Sequence, residues 1–167
     1  AAYFAALQGA GEIIMIGGTA SRLEMAKQFG VTTVLDRKQT SSEERKEIIM
    51  GLTGGRGVDY AIEAVGAPSA VKEGISLVRT GGAYLSVGFG DPNGSVEVDC
   101  FQDIGRKNLA YQGIWVSDTR HTRVALQGVL KNPSLFTALV SHRLPLAEAN
   151  LGLQLMDKKE ALKVVLV

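Results

Sequence analysis

Gly54-Gly55-Arg56-Gly57-Val58-Asp59-Tyr60-Ala61-Ile62-Glu63-Ala64-Val65-Gly66 is a glycine turn feeding an apolar run that closes on another glycine. A run this short, rich in Val and Ile and bounded by glycines, predicts a parallel strand buried on both faces. Pro68 and Ser69 come next as a helix start, with Val71, Ile75, Leu77 and Val78 at helical spacing before Gly81-Gly82. Ala83 to Val87 then predicts a second strand, so the stretch reads as one strand-helix-strand crossover.

The same alternation extends both ways. Upstream, Ile13 to Ile16 ends on Gly17-Gly18, and Thr19 or Ser21 caps a helix through Leu23, Met25, Ala26 and Phe29. Val31 to Leu35 predicts the next strand, and Ser41-Ser42-Glu43-Glu44 a helix start with acids in its first turn. Downstream, Ser95 to Asp99 alternates as a half-exposed edge strand would, Leu109 to Trp115 predicts one more strand, and Thr122 to Leu130 a helix. Strands alternating with helices mean an α/β fold with a parallel sheet. Residues 1–8 predict part of a helix stopped by Gly9.

The 167 residues carry 18 basic and 17 acidic side chains, a net charge of +1, which leaves no surplus for a phosphate backbone or an anionic membrane. Nucleic acid and membrane are therefore excluded as expected partners, and no apolar run approaches the roughly 20 residues of a membrane helix. One cysteine, Cys100, forms no internal disulfide, so a reduced, cytoplasmic setting is expected. Cys100 is expected to be a packed thiol at the end of the edge strand. His121 and His142 each lack a second ligand at metal spacing, so no metal site is expected among these residues.

Three segments together resemble the medium-chain dehydrogenase/reductase family, zinc-containing alcohol dehydrogenase-like. They are Arg22 to Val31, similar to the family's ERLELAKELGA helix; Gly54 to Gly66, similar to GGRGVDVVIEAVG; and Ser141-His142-Arg143-Leu144-Pro145-Leu146 with Ala161 to Leu166, similar to its closing motif. The resemblance implies a Rossmann-like doubly wound parallel sheet lacking its first strand and Gly-rich turn. Residues 1–116 would be a truncated NAD(P)-binding domain, and residues 117–167 a C-terminal tail that belongs with a catalytic domain. Gly9-Ala10-Gly11 and Gly54-Gly55-Arg56-Gly57 are not the missing phosphate turn, since each enters a strand instead of leaving one for a helix.

The resemblance implies the nucleotide-binding part of an oxidoreductase transferring hydride between an alcohol or carbonyl substrate and NAD or NADP, with zinc bound outside this chain. The chain alone is expected to be inactive, with a vacancy in its sheet. The alternative is a non-catalytic nucleotide-binding or regulatory Rossmann domain. No catalytic residue is expected here. Gly17 stands where NAD-specific members place an acid for the ribose, so Gly17-Gly18-Thr19 leaves room for a 2′-phosphate, and Arg22 is within reach of either that phosphate or the adenine face. Val65 and Gly66 are implied to pass the adenosine ribose, and Val87, Gly113 and Trp115 to meet the nicotinamide carboxamide, with Gly88 lining the same edge. Lys163, in the closing strand, is implied to lie near the pyrophosphate. Ser95 to Cys100 is implied to pair with its own copy in a homodimer or homotetramer.

Overall fold

The computed structural model describes residues 1–167, which divide into two compact units, Ala1–Thr40 with Asp118–Val167, and Ser41–Ser117. All four strand pairings are parallel, as the alternation of strands and helices predicts.

In the first unit, α1 (Ala2–Leu7) stops at Gly9, whose φ of 86° suits a residue without a side chain. β1 (Ile14–Gly17), α2 (Ala20–Lys27) and β2 (Thr33–Asp36) form one crossover, with Gly17 opposite Asp36. Leu23, Ala26, Val31 and Leu35 are buried around it.

The C-terminal part adds α5 (Thr119–Lys131), α6 (Pro133–Thr137), β6 (His142–Leu144), α7 (Ala149–Asp157) and β7 (Val164–Leu166). Tyr3 and Phe29 each pack edge-on against Phe136, and Phe4 fills the space beside Gly128. Aromatic side chains thus join the chain's start to its end within this unit. β6 and β7 pair through His142–Leu144.

In the second unit, α3 (Ser42–Leu52) starts on a capping box. Ser41 Oγ accepts from the Glu44 amide and the Glu44 carboxylate accepts from the Ser41 amide, so two orphan donors are satisfied together. β3 (Val58–Glu63), α4 (Pro68–Leu77) and β4 (Val78–Ser86) form the second crossover, and β5 (Ala110–Gly113) pairs on the far side of β4. Val71, Ile75, Val78, Tyr84 and Leu109 make its core.

Three expectations change. Ser95 to Asp99 is not a strand: it pairs with no element of the chain, although Val96 and Val98 pack on the core while Glu97 is exposed. Alternation records which side is buried, whereas a strand also needs a hydrogen-bonded neighbour. Asp99 then ends the extended run by capping a π-helical turn, Cys100–Gly105, through the amides of Phe101 and Gln102. Cys100 is accordingly an exposed thiol at that turn. Lastly, β3 is covered on one face only, with Tyr60 and Ile62 exposed on the other.

Candidate functional site

β3, β4 and β5 run parallel, so their last residues gather at one edge of the second unit. That carboxyl edge is where open α/β sheets take ligands. Val87 donates its amide to the Glu63 carbonyl (2.9 Å) and Ile114 donates to the Ser86 carbonyl (2.8 Å), which carries the ladder just past the strand ends.

The Glu63 side chain organises the segment after β3. It is 5% exposed, and its Oε1 accepts the amides of Val65 (2.5 Å) and Gly66 (2.6 Å). A carboxylate holding two successive amides folds the segment back into a tight turn. Gly66 takes φ 76°, and a Cβ there would stand 2.5 Å from the Gly88 carbonyl oxygen. A Cβ on Gly88 would in turn press on the nitrogens of Val65 and Gly66. Only backbone without side chains crosses at that separation. Asn93 Nδ2 donates to the Gly66 carbonyl (2.7 Å) and ties the next loop to the same point.

Val65, Gly66, Gly88, Gly90, Asp91, Pro92 and Asn93 thereby enclose an open cleft of about 300 Å³. The structure thus brings together Val65, Gly66 and Gly88 from the sequence expectation. Val87 and Gly113 lie on the same edge. Gly113 has nothing within 4 Å of where a Cβ would stand, so it is not forced to be glycine by packing. Trp115 comes next on the same edge and is 72% exposed.

Beneath the edge lie two buried oxygens without a protein partner, Glu63 Oε2 and the Tyr84 hydroxyl. Burial pushes the Tyr84 hydroxyl well above the ordinary tyrosine range, and the charges of Glu63 and Tyr111 add to this.

In the first unit, Gly17 ends β1 and Gly18 begins the turn into α2. Arg22 Nη2 donates to the Ala161 carbonyl (3.3 Å), so this guanidinium is held by the loop that leads toward Lys163. Lys163 is exposed and sits just before β7 instead of within it. Its carbonyl accepts the Ser141 and His142 amides.

Sequence reasoning misses three residues. Glu63 reads in sequence only as part of the strand that closes on Gly66, yet an acid two and three positions before free amides at a strand end is the pattern of a turn-forming carboxylate. Asn93 carries no role in the sequence reading. Arg37, directly after β2, lies against Gly18, and only the pairing of β1 with β2 reveals that neighbourhood.

No group of three or more His, Cys, Asp or Glu side chains is placed to hold a metal, so the residues present do not fit a zinc site. No helix is long and apolar enough to cross a membrane.

Residues 1–131 match the family model described as zinc-binding dehydrogenase. The chain is 31% identical over 160 residues to the L-threonine 3-dehydrogenase of Bacillus velezensis, covering 95% of this chain and 45% of that protein. It is 30% identical over 164 residues to the 5-exo-hydroxycamphor dehydrogenase of Pseudomonas putida, again with 45% of the relative covered. Among solved structures, the alcohol dehydrogenase of Thermotoga maritima superposes with a TM-score of 0.94 at 41% identity, over 99% of this chain and 45% of that one. The chain therefore spans about half the length of the proteins it matches.

Proposed function

The chain belongs to the zinc-binding dehydrogenase family, and from that premise we propose that it is the nucleotide-holding part of an oxidoreductase. The reaction is hydride transfer between an alcohol or carbonyl substrate and NAD(P). The observation that carries this is the open cleft of about 300 Å³ at the carboxyl edge of β3 and β4, walled by Val65, Gly66 and Gly88 where the two glycines cross. A cleft walled largely by glycine backbone lets an extended ligand approach the main chain itself.

When bound, the dinucleotide supplies the hydride donor or acceptor. Val65 and Gly66 offer main chain to the adenosine ribose, and Glu63 holds that turn rigid. Val87, Gly113 and Trp115 present backbone to the carboxamide, with Gly88 lining the cleft beside Gly66, and fixed main-chain contacts orient a ring better than mobile side chains do. Lys163 supplies positive charge toward the pyrophosphate. Zinc chemistry is assigned to residues outside this chain.

Two further parts belong to the same proposal. Residues 117–167 pack with a catalytic domain, while residues 1–116 form the nucleotide-binding domain. Ser95 to Cys100 forms a strand ladder with its own copy, since residues 95–98 pair with no strand of the single chain while Val96 and Val98 already anchor one side. A cytoplasmic setting accords with the single exposed thiol.

Calorimetric titration of the full-length protein with NADH and NADPH tests the reading, alongside an alcohol-dependent absorbance assay. Binding of at least one dinucleotide together with turnover is expected. Binding without turnover on any alcohol would favour a sensing domain, and no binding would reject both. A monomeric mass for the full-length protein at micromolar concentration would reject the pairing of Ser95 to Cys100.

A further inference from the structure

The parallel sheet of the second unit has a second edge, opposite the cleft, where β3, β4 and β5 begin. Gly57, just before β3, takes φ 91°, and a Cβ there would stand 2.5 Å from the Leu77 carbonyl oxygen and 3.1 Å from the Arg79 nitrogen. The turn that carries Arg56 is thereby laid against the junction of α4 and β4. The Gly81 amide donates to the Lys107 carbonyl (2.7 Å), which draws the segment before β5 to the same place. An open hollow of about 280 Å³ lies among these turns and α3, and its charged lining is Lys46, Arg56, Arg79, Lys107 and Asp103.

Four cations and one acid thus meet in a chain that carries 18 basic and 17 acidic side chains overall. Lys107 is the half-buried member. Its ammonium donates to the carbonyls of Ile75 (2.8 Å), Ser76 (3.3 Å) and Val78 (3.0 Å), closing the end of α4, so it adds charge to the hollow but no further bonds. Burial pushes Lys107 below the ordinary lysine range, while Asp103 opposes the shift and Lys46 reinforces it. These three charges therefore feel one another.

The other cations keep donors free. Lys46 makes no hydrogen bond or ion pair within the protein. Arg56 uses only Nε, on the Thr53 carbonyl (3.3 Å). Arg79 spends Nε on Asp59 (2.6 Å) and Nη1 on the Thr80 carbonyl (2.8 Å), which leaves Nη2. Asp103 has one carboxylate oxygen on the Asp99 amide (3.0 Å). Capping α4 accounts for Lys107, and Asp59 accounts for Arg79, but no contact within the protein accounts for gathering Lys46 and Arg56 beside them. Like charges brought together repel, and a hollow lined by one sign of charge concentrates its counter-ion.

We propose that this hollow is a binding site for a small phosphorylated anion, held by Lys46, Arg56 and Arg79 over the charge of Lys107. The donors come from α3, from the turn before β3 and from the start of β4, so the ligand must offer charged oxygens in several directions. A phosphoryl group is tetrahedral and does so, and its oxygens match the fork of a guanidinium. A single flat carboxylate faces one way. The site stands apart from the dinucleotide cleft, at the other ends of the same strands.

The full-length protein, its Lys46→Gln/Arg56→Gln double variant and an Arg123→Gln control are titrated calorimetrically with inorganic pyrophosphate, inorganic phosphate and NADH. Lys46 and Arg56 are exposed, and Arg123 lies in α5 of the first unit. Pyrophosphate is expected to bind the unaltered protein more tightly than phosphate. The double variant is expected to weaken pyrophosphate by about tenfold or more while leaving NADH affinity and the urea midpoint in place, and Arg123→Gln should change neither ligand. No binding of pyrophosphate at millimolar concentration overturns the proposal. Binding that the double variant leaves unmoved also overturns it, because the anion then sits elsewhere, the dinucleotide cleft included. An equal loss in Arg123→Gln would reduce the effect to diffuse charge and overturn the site as well.

Discussion

Gly66 and Gly88 cross with no room for a methyl group between them: a Cβ on Gly66 would stand 2.5 Å from the Gly88 carbonyl oxygen. Gly66 also holds φ 76°, a conformation that costs an L-residue with a side chain. Gly66→Ala is therefore expected to destabilise by about 1 to 3 kcal/mol and to weaken dinucleotide binding, because the Val65 turn shifts. Gly113→Ala is the control, since nothing lies within 4 Å of its Cβ position, and it should stay within about 0.5 kcal/mol of the parent. Urea unfolding of both variants decides the matter, and equal midpoints for the two would show that the crossing is not tight in solution.

Arg45 and Glu73 join α3 to α4 by a two-pronged ion pair, Nε to Oε1 at 2.6 Å and Nη2 to Oε2 at 2.9 Å. The side chains are only 7% and 17% exposed, so removing one leaves the other charge largely out of water. Glu73 holds the guanidinium further above its ordinary pKa, so Arg45 stays charged throughout the working range. Arg45→Met is expected to cost about 3 kcal/mol, and the double change Arg45→Met with Glu73→Met to recover much of that. A double variant no more stable than the single one would mean that the charge left behind is not what destabilises.

The strand-helix alternation, the helix starts at Ser41 and Pro68 and the glycine turns were legible because each rests on a local rule about the residue in place. The Ser41–Glu44 box is written within four residues, and Gly57 sits at φ 91° where its turn requires it. What was hidden depends on partners distant in sequence. Arg37 reaches Gly18 only because β2 lies beside β1, and Arg45 meets Glu73 across 28 positions. Ser95 to Asp99 misled for the opposite reason. Its alternation is real in burial, but the hydrogen-bonding neighbour that makes a strand is not within this chain.

The capping box makes a pH-dependent prediction. The Ser41 amide, and then its hydroxyl, hold the Glu44 carboxyl below its ordinary value of 4.5. A carboxyl lowered in the folded state contributes above its unfolded pKa and loses that contribution as pH falls through the folded one. Ser41→Ala should cost about 1 kcal/mol near neutral pH, and the gap from the parent should narrow as pH drops below 4.5. Chemical unfolding at several acidic pH values checks this. A gap that stays constant down to the lowest pH would assign the loss to the bond that the Ser41 hydroxyl accepts from the Glu44 amide, which does not titrate.

Tyr84 gives the alkaline counterpart. It is fully buried, stacks on Tyr111 with ring centroids 5.1 Å apart, and its hydroxyl finds no protein partner. Burial raises its pKa above the ordinary 10.0, with the Glu63 charge adding to the effect. Above that ordinary value the unfolded chain loses the phenolic proton while the folded chain keeps it, so the folded state binds more protons and stability falls with rising pH. Below it both states are neutral and the contribution is fully present. Tyr84→Phe keeps the ring against Gly74 and Tyr111 while deleting the hydroxyl. At pH 7 the variant should match the parent or exceed it by up to about 2 kcal/mol, since a buried hydroxyl without a partner carries a desolvation cost. Between about pH 9 and 11 it should lose less stability than the parent. Exposed tyrosines and lysines titrate alike in both proteins, so the difference between the two curves isolates Tyr84. Parallel curves would show that its hydroxyl reaches a partner when the chain is in water.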